Sequence, residues 1–276
     1  MKRVIFNQKG GVGKTSVACN IAASLAFLGR KVLVVDLDAQ CNSSQYLMGD
    51  DFHACKKTVA DFFEDSLKIK IFKNSLQEAM TSTRFENLWM IPASVSLSEL
   101  QTKLESRYKI LKLSQALDDL IRVKHIDDVI IDTPPALNFY SMSALLAANR
   151  VLIPFDCDAF SANALVQVMD TVEEVSEDHQ RDLKVEGIIV NGFQSQAKLP
   201  SEAIDALVAK NLPILSPYLS NSVLMKESHA KHLPVIWLKK NHKLSKEFLE
   251  LAKNLSEEGV KAKKGRSPVP SREKCH

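Results

Sequence analysis

The sequence predicts an α/β fold, a doubly wound and mostly parallel sheet with helices on both faces. Two observations predict it. Short apolar runs typical of strands alternate with longer segments in which apolar residues recur at helical spacing. The segment Lys31–Asp36 contains a continuous run of Val and Leu, which is typical of a parallel strand buried on both faces.

The elements follow one another in strand–helix order, which favours parallel pairing. Strands are predicted at Arg3–Asn7, Lys31–Asp36, Asn87–Pro92, Asp127–Asp132, Arg150–Phe155 and Val185–Asn191. Helices are predicted at Val17–Leu28, Thr58–Glu64, Ser98–Arg122, Ser161–Glu177, Pro200–Lys210, Ser222–Lys231 and Leu244–Leu255. The alternation in Ser66–Phe72 is compatible with an edge strand.

Length and composition indicate one large domain. The chain has 276 residues, 45% hydrophobic and 25% charged, which is enough for a substantial core. We expect a domain over residues 1–255 and a basic, disordered tail over 256–276, where the apolar pattern stops. From residue 196 onward the chain contains 15 Lys and Arg and 8 Asp and Glu, which gives a net charge of +7. This excess suits either an anionic polymer as partner or a solvated surface.

Simple counts argue against several classes of protein. No apolar run approaches the roughly 18 residues of a membrane span. The chain enters its first strand without a signal peptide, so we expect a cytoplasmic location. The five cysteines are scattered and form no C-x-x-C pair, so the sequence supports neither a disulfide framework nor a zinc site.

The stretch Lys9–Ser16 lies between a short apolar run and a helical pattern, the setting of a phosphate-binding loop. Its glycines let backbone N–H groups turn toward an anion, and the helix N-terminus adds partial positive charge. In this pattern Lys14 reaches the β- and γ-phosphates, and the Thr15 hydroxyl ligates Mg²⁺. The predicted nucleotide contacts are Gly10, Gly11, Val12, Gly13, Lys14, Thr15 and Ser16.

Carboxylates follow two predicted strands. Asp36 and Asp38 end one strand and Asp132 ends another, and side chains at the carboxyl ends of parallel strands face the crevice where ligands bind. Asp132 is expected to hold the Mg²⁺ shell through water. The alternative is that Asp38 and Asp132 cap the turns that follow.

The loop departs from the common phosphate-binding pattern. Gln8 occupies the position of the first glycine and Lys9 follows it, so the loop reads K-G-G-x-G-K-T. This form resembles the deviant Walker A motif of the ParA/MinD family, P-loop NTPases that bind ATP and Mg²⁺. The resemblance covers roughly residues 1–255. The family's D-x-D-P-Q motif recurs with Ala39 in place of proline, and the run after Asp132 resembles switch II.

The resemblance implies roles for individual residues. Lys9 would cross a dimer and contact the partner's ATP, making it a catalytic residue together with Lys14. Asp36 would support the Mg²⁺ shell, and Asp38 would position the attacking water. Asn191 would read the adenine edge, although an Asn that turns the chain is an equally good interpretation.

The resemblance also implies a function. Such proteins form ATP-dependent homodimers on a surface, and a partner stimulates hydrolysis to ADP and phosphate. In the DNA-partition branch the surface is nonspecific double-stranded DNA, the location is the nucleoid, and the activator is a cargo adaptor or ParB-like protein. The cargo, whether plasmid, chromosome or protein body, is not specified by the sequence. Candidate DNA contacts are Lys226, Lys231, Lys239, Lys240, Lys243 and Lys246, although a solvated surface lysine is the simpler interpretation of each.

Two alternatives stay open. A MinD-like ATPase would act on a membrane or protein surface, and a nucleotide-binding scaffold would show no significant turnover. After Leu255 the large apolar residues are Val260 and Val269, which argues against insertion of a C-terminal amphipathic helix into lipid.

Overall fold

The computed structural model describes residues 1–68, 76–156, 162–179, 182–194, 204–205 and 207–264, with backbone only at 162 and 257–264. Its strands form one eight-stranded sheet in the order β3-β4-β2-β5-β1-β6-β7-β8. All pairs are parallel except β3 with β4, which confirms the predicted fold class. The strands are β1 Lys2–Ile5, β2 Val32–Asp36, β3 Thr81–Ser82, β4 Leu88–Ile91, β5 Asp128–Asp132, β6 Arg150–Asp156, β7 Lys184–Asn191 and β8 Ile214–Leu215.

Helices cover both faces of the sheet. They are α1 Lys14–Phe27, α2 Asn42–Met48, α3 Val59–Leu67, α4 Leu76–Ala79, α5 Leu97–Ser106, α6 Lys112–Lys124, α7 Phe139–Ala147, α8 Ala162–Asp178, α9 Val223–Ala230, α10 Val235–Leu238 and α11 Lys243–Lys264, with a 3₁₀ turn at Gly49–Ala54. Helices α3 to α8 pack on one face, and α1, α2 and α9 to α11 pack on the other. Within the described ranges, no helix has both the length and the apolar content that crossing a membrane requires.

Successive residues of the central strands contribute to opposite cores. In β2, Leu33 and Val35 belong to the α3–α8 core, whereas Val32 and Val34 belong to the other. A strand buried on both faces needs apolar residues at every position. The uninterrupted apolar run in this segment is therefore explained by the two helical layers.

The single helix predicted over Ser98–Arg122 is wrong. The chain forms α5 and α6 instead, and between them Tyr108 has φ +51° and is 91% exposed. One turn after the buried Leu104, a continuous helix would place Arg107 and Tyr108 toward the core. Arg107 would bring a charged guanidinium into the apolar stripe, and the chain instead turns at Tyr108 and begins a second amphipathic helix.

Other boundaries also differ from the prediction. Ser66 and Leu67 lie in α3, so no strand begins there, and the rest of the predicted edge strand falls largely outside the described residues. Of the predicted helix over Pro200–Lys210, residues 200–203 and 206 lie outside the described ranges, and residues 204–205 and 207–209 are helical. Helix α11 continues past Leu255 to Lys264, and the later tail residues are not described.

The register of the central strands assembles the carboxyl end of the sheet. Asp132 pairs with Ile5 of β1 on one side and with Asp36 of β2 on the other. The loop after β1 therefore emerges beside two strands that end in aspartate. This is the edge at which open α/β sheets bind ligands.

Candidate functional site

The loop between β1 and α1 has the backbone of an anion site. Gly11 and Gly13 have φ of +79° and +86°, in the left-handed region that favours glycine. A Cβ on Gly13 would lie 2.3 Å from Asn191 Nδ2, so close packing also requires glycine there. Helix α1 begins at Lys14 without a side-chain cap or an acidic residue in its first turn. Its first N–H groups are therefore available to an anion.

Lys14 is buried within this loop. Its residue is 7% exposed, and its Nζ donates to the Lys9 carbonyl oxygen at 2.7 Å. Burial lowers the pKa of Lys14, whereas the charges of Asp132 and Asp38 oppose that shift. A buried ammonium at a helix N-terminus favours a negatively charged ligand, as its predicted role requires.

Two buried carboxylates lie side by side at the ends of β2 and β5. The Thr15 hydroxyl donates to Asp132 Oδ2 at 2.7 Å, and the Ser43 hydroxyl donates to the same oxygen. Asp132 Oδ1 is buried and has no hydrogen-bond partner among the described residues. Asp36 accepts from the Ser44 amide at 3.0 Å and the Ser44 hydroxyl at 2.7 Å.

The electrostatics of this pair suit a divalent cation. Burial is the main cause that raises the pKa of both Asp36 and Asp132, and the Asp132 charge further raises that of Asp36. A cation bound to these oxygens would stabilise the ionised carboxylates and so lower the pKa of both residues. Among the described residues, no three His, Cys, Asp or Glu side chains cluster as a metal site. Mg²⁺ fits such a place, because it commonly takes one or two carboxylates and completes its shell with phosphates and water.

Asp38 lies in the loop that joins β2 to α2. One of its oxygens accepts from the Gln40 amide at 3.0 Å, so the capping interpretation describes part of its role. Its side chain is half-buried, and its charge acts on both Lys14 and Asp132. The structure thus brings Asp38 close to the predicted phosphate and metal residues, and its role toward water stays a prediction.

Asn191 ends β7 and contacts the loop directly. Its Nδ2 donates to the Val12 carbonyl oxygen at 3.1 Å. Asn7, which the sequence prediction missed as a site residue, holds the loop from the other side. It accepts from the Lys9 amide at 3.0 Å and donates to the Pro154 carbonyl oxygen at 2.8 Å. An asparagine at the end of the predicted strand Arg3–Asn7 was the available signal for this role.

Sequence reasoning also missed Ser43, Ser44 and His229. The two serines begin α2 and donate to the two buried aspartates, and their position just after Asp38-Ala39-Gln40 was the available signal. His229 comes from α9, and its Nε2 lies 2.8 Å from Ser16 Oγ. No local pattern near His229 indicates this contact, which joins residues 213 positions apart.

The six predicted DNA contacts are all exposed and lie on or beside α9 to α11. Lys239 pairs with Glu227 at 3.2 Å, and Lys243 lies 3.8 Å from Glu247. Lys240 lies over the ring of Phe27. Lys226, Lys231 and Lys246 form no ion pair with any residue in the part of the chain that the structure describes.

Comparisons with known proteins agree with the fold. A family model described as an AAA domain matches residues 2–185. The chromosome-partitioning ATPase Soj of Treponema pallidum is 31% identical, over 84% of this chain and 87% of its own. Cobyrinic acid a,c-diamide synthase from Mycobacterium smegmatis with bound ADP and magnesium has a TM-score of 0.79 and 25% identity, covering 98% and 99% of the two chains. McdA from Cyanothece in complex with ATP has a TM-score of 0.78 and 26% identity, covering 92% and 96%.

Proposed function

Because the chain belongs to the ParA/MinD family of P-loop ATPases, we propose that it binds Mg²⁺ and ATP at this site and hydrolyses ATP to ADP and phosphate. One arrangement carries the proposal. The buried Lys14 lies at the uncapped start of α1, near an Asp132 whose Oδ1 has no hydrogen-bond partner within the described part of the chain. A γ-phosphate and a cation would complement both groups.

The chain's own residues supply the binding. The loop amides from Gly10 to Gly13 and the first N–H groups of α1 would receive phosphate oxygens, and Lys14 would turn from the Lys9 carbonyl to the β- and γ-phosphates. Thr15, Asp36 and Asp132 would hold the cation, directly or through water. When bound, Mg²⁺ would neutralise charge on the transferring phosphoryl group.

Hydrolysis would depend on positioning. Asp38 has one oxygen engaged with the Gln40 amide, and we assign its other oxygen to orienting the attacking water. Phosphoryl transfer needs little covalent help from the protein, so orientation and charge provide most of the acceleration. Asn191, beside Gly13, would contact the base of the nucleotide.

The active form proposed here is an ATP-dependent homodimer. Lys9 is exposed on the loop, and this position is consistent with a contact to nucleotide across a dimer interface. Hydrolysis would be stimulated by a cargo adaptor or ParB-like protein and would end the dimeric state.

The proposed surface is nonspecific double-stranded DNA. Exposed lysines lie on or beside α9 to α11, helices that pack on the same face of the sheet, and their positive charge suits contact with phosphates. Such contacts tolerate any sequence and weaken as salt rises. Dimerisation would double the number of contacts and make binding depend on ATP.

The test is binding to duplex DNA of arbitrary sequence with ATP, ADP or no nucleotide, across a salt series. Asp38→Ala would hold the ATP state. The double variant Lys226→Ala/Lys231→Ala should weaken binding and flatten the salt dependence, whereas Lys103→Ala/Lys124→Ala, an equal charge change at exposed positions of α5 and α6, should not. DNA binding that is equally strong with ATP, with ADP and without nucleotide would contradict the proposal. Equal effects of the two double variants would contradict it as well.

A further inference from the structure

His229 contacts the phosphate loop, and no step of the proposed hydrolysis uses it. Its Nε2 lies 2.8 Å from Ser16 Oγ. Ser16 follows Lys14 and Thr15 in the first turn of α1, where backbone N–H groups lack helical partners. A side chain of α9 therefore lies in contact with a residue predicted to bind phosphate.

The same histidine joins α9 to α2 and α1. Its ring stacks on Tyr46, with centroids 4.3 Å apart and 18° between the planes. The Tyr46 hydroxyl bonds with Ser228 and accepts from Asn20 Nδ2 at 3.0 Å. We call Ser16, Asn20, Tyr46, Ser228 and His229 the histidine cluster. It connects the phosphate loop, the helix after Asp38 and the lysine-bearing helix.

Few apolar contacts hold α9. Of its eight residues, all of which are described, Leu224 and Ser228 are buried. The helix carries Lys226 and ends beside Lys231, both exposed. Its orientation should therefore depend strongly on the polar bonds of the histidine cluster.

The contact between Ser16 and His229 is sensitive to phosphate because the Ser16 hydroxyl has one proton to donate. A serine hydroxyl donates one hydrogen bond, and phosphate oxygens only accept. Without a nucleotide, Ser16 can donate to an unprotonated Nε2 of His229. When Ser16 donates to a phosphate, its oxygen can only accept from the ring, so the proton must then be on His229 Nε2.

The surroundings allow that change. Burial, with a smaller contribution from His232, lowers the pKa of His229 below its ordinary 6.5, so the ring is neutral at pH 7 and carries one N–H. A cavity of about 230 Å³ adjoins the ring and gives it room to adjust. Its lining residues are Thr15, Asn42, Gln45, Tyr46, His229 and His232.

We propose that His229 is a positioning residue that couples phosphate at Ser16 to the orientation of α9. The Nε2–H form would tighten the bond to Ser16 and align Lys226 and Lys231 with DNA phosphates. The coupling rests on the proposed function in two respects, that phosphate binds at Ser16 and that DNA is the ligand of these lysines.

The first experiment measures the tautomer without DNA. Long-range ¹⁵N NMR of the histidine ring nitrogens, with His229 assigned by its loss in His229→Gln, distinguishes Nε2–H from Nδ1–H. Titrating Mg²⁺ and a non-hydrolysable ATP analogue into the full chain should move His229 to the Nε2–H form. An unchanged tautomer at saturating nucleotide would overturn the proposal.

The second experiment measures the coupling in both directions, in the Asp38→Ala background. His229→Ala should lower ATP-dependent DNA affinity about tenfold, and DNA should no longer tighten ATP binding, because coupling is reciprocal. His53→Ala, an exposed histidine on the 3₁₀ turn, is the control and should keep both effects. Intact coupling in His229→Ala would overturn the proposal.

His229→Gln covers the case in which the alanine variant folds poorly. The Gln amide can flip between donating and accepting, so this variant should keep most of the coupling. A loss equal to that of alanine in a folded protein would contradict the proton-exchange mechanism. If the wild type binds no DNA, the proposed DNA function fails, and the tautomer measurement alone decides the role of His229.

Discussion

The two ends of the parallel sheet bury charged side chains in opposite ways. At the amino end, Arg3 is fully buried and donates to Asp128 at 2.8 Å and to Glu186 at 2.6 and 2.9 Å. It also donates to the Leu255 carbonyl oxygen of α11 at 2.7 Å, and Arg30 pairs with the second oxygen of Asp128. The charges there are neutralised within the protein.

At the carboxyl end, Asp36 and Asp132 are as deeply buried, but hydroxyl and amide groups are their main partners. The pKa of each is raised by burial, whereas Arg3, surrounded by carboxylates, has its pKa raised despite its burial. A buried charge that is paired with an opposite charge inside the protein stabilises the fold. A buried charge without such a partner instead favours binding of a ligand that supplies the opposite charge.

The largest expected effect is a loss of stability when the buried ion pairs of Arg3 at the amino end of the sheet are removed. Arg3→Met leaves the buried Glu186 without this cation and Asp128 with Arg30 alone, so we expect a loss of about 3–5 kcal/mol in the free energy of unfolding. Urea unfolding followed by circular dichroism measures it. Arg122→Met is the control, because its pair with Asp119 is exposed and contributes less than about 1 kcal/mol. Equal losses in the two variants would contradict the comparison.

At the carboxyl end, Asp38→Ala should lower the hydrolysis rate roughly 10²–10³-fold while ATP affinity is largely kept, since the residue is assigned to the attacking water. Phosphate release and calorimetric ATP titration measure the two quantities. Gln40→Ala, at an exposed neighbour in the same loop, controls for loop disturbance. Normal turnover in Asp38→Ala would refute the assignment.

The pH dependence of stability should reveal the protonation of the buried Asp132. Folding raises the pKa of Asp132 above 3.8, so the folded state binds the proton more tightly than the unfolded chain. The stability from protonated Asp132 is complete below pH 3.8 and is lost as pH rises through the folded pKa, at about 1.4 kcal/mol per pKa unit.

Asp132→Asn removes this titration. Urea unfolding of both metal-free proteins from pH 4 to 8 should show the wild type losing stability relative to the variant as the pH rises. Parallel curves would show that Asp132 does not titrate as described. Adding Mg²⁺ and nucleotide should reduce the difference at high pH, because a cation stabilises the ionised carboxylate.

The smallest expected effect is that of Asn191→Ala. Losing its hydrogen bond to the Val12 carbonyl oxygen should weaken ATP binding by about 1 kcal/mol, the typical value of one neutral hydrogen bond. Comparing ATP with GTP tests the predicted contact with the base, since the variant should lose preference as well as affinity. If the ratio of ATP affinity to GTP affinity is the same in the variant and the wild type, Asn191 has a structural role only.

Part of the site was predictable because its pieces are contiguous. The loop, the lysine and the start of α1 fall within Lys9–Ser16, and local chemistry decides their conformation. Asp36 and Asp132 were predictable as neighbours because parallel strands place their carboxyl ends at one edge. The helix predicted over Ser98–Arg122 failed because apolar spacing was extended across Arg107 and Tyr108, where the burial pattern breaks.

The sequence by itself determined the alternation of strands and helices, the phosphate loop and the family. These depend on periodicity and on short motifs, which are local properties of the chain. Only the tertiary structure decided that Arg3 meets Glu186, that Ser43 meets Asp132 and that His229 meets Ser16. Such contacts join distant segments whose meeting depends on how whole helices pack on the sheet, and no local pattern encodes that packing.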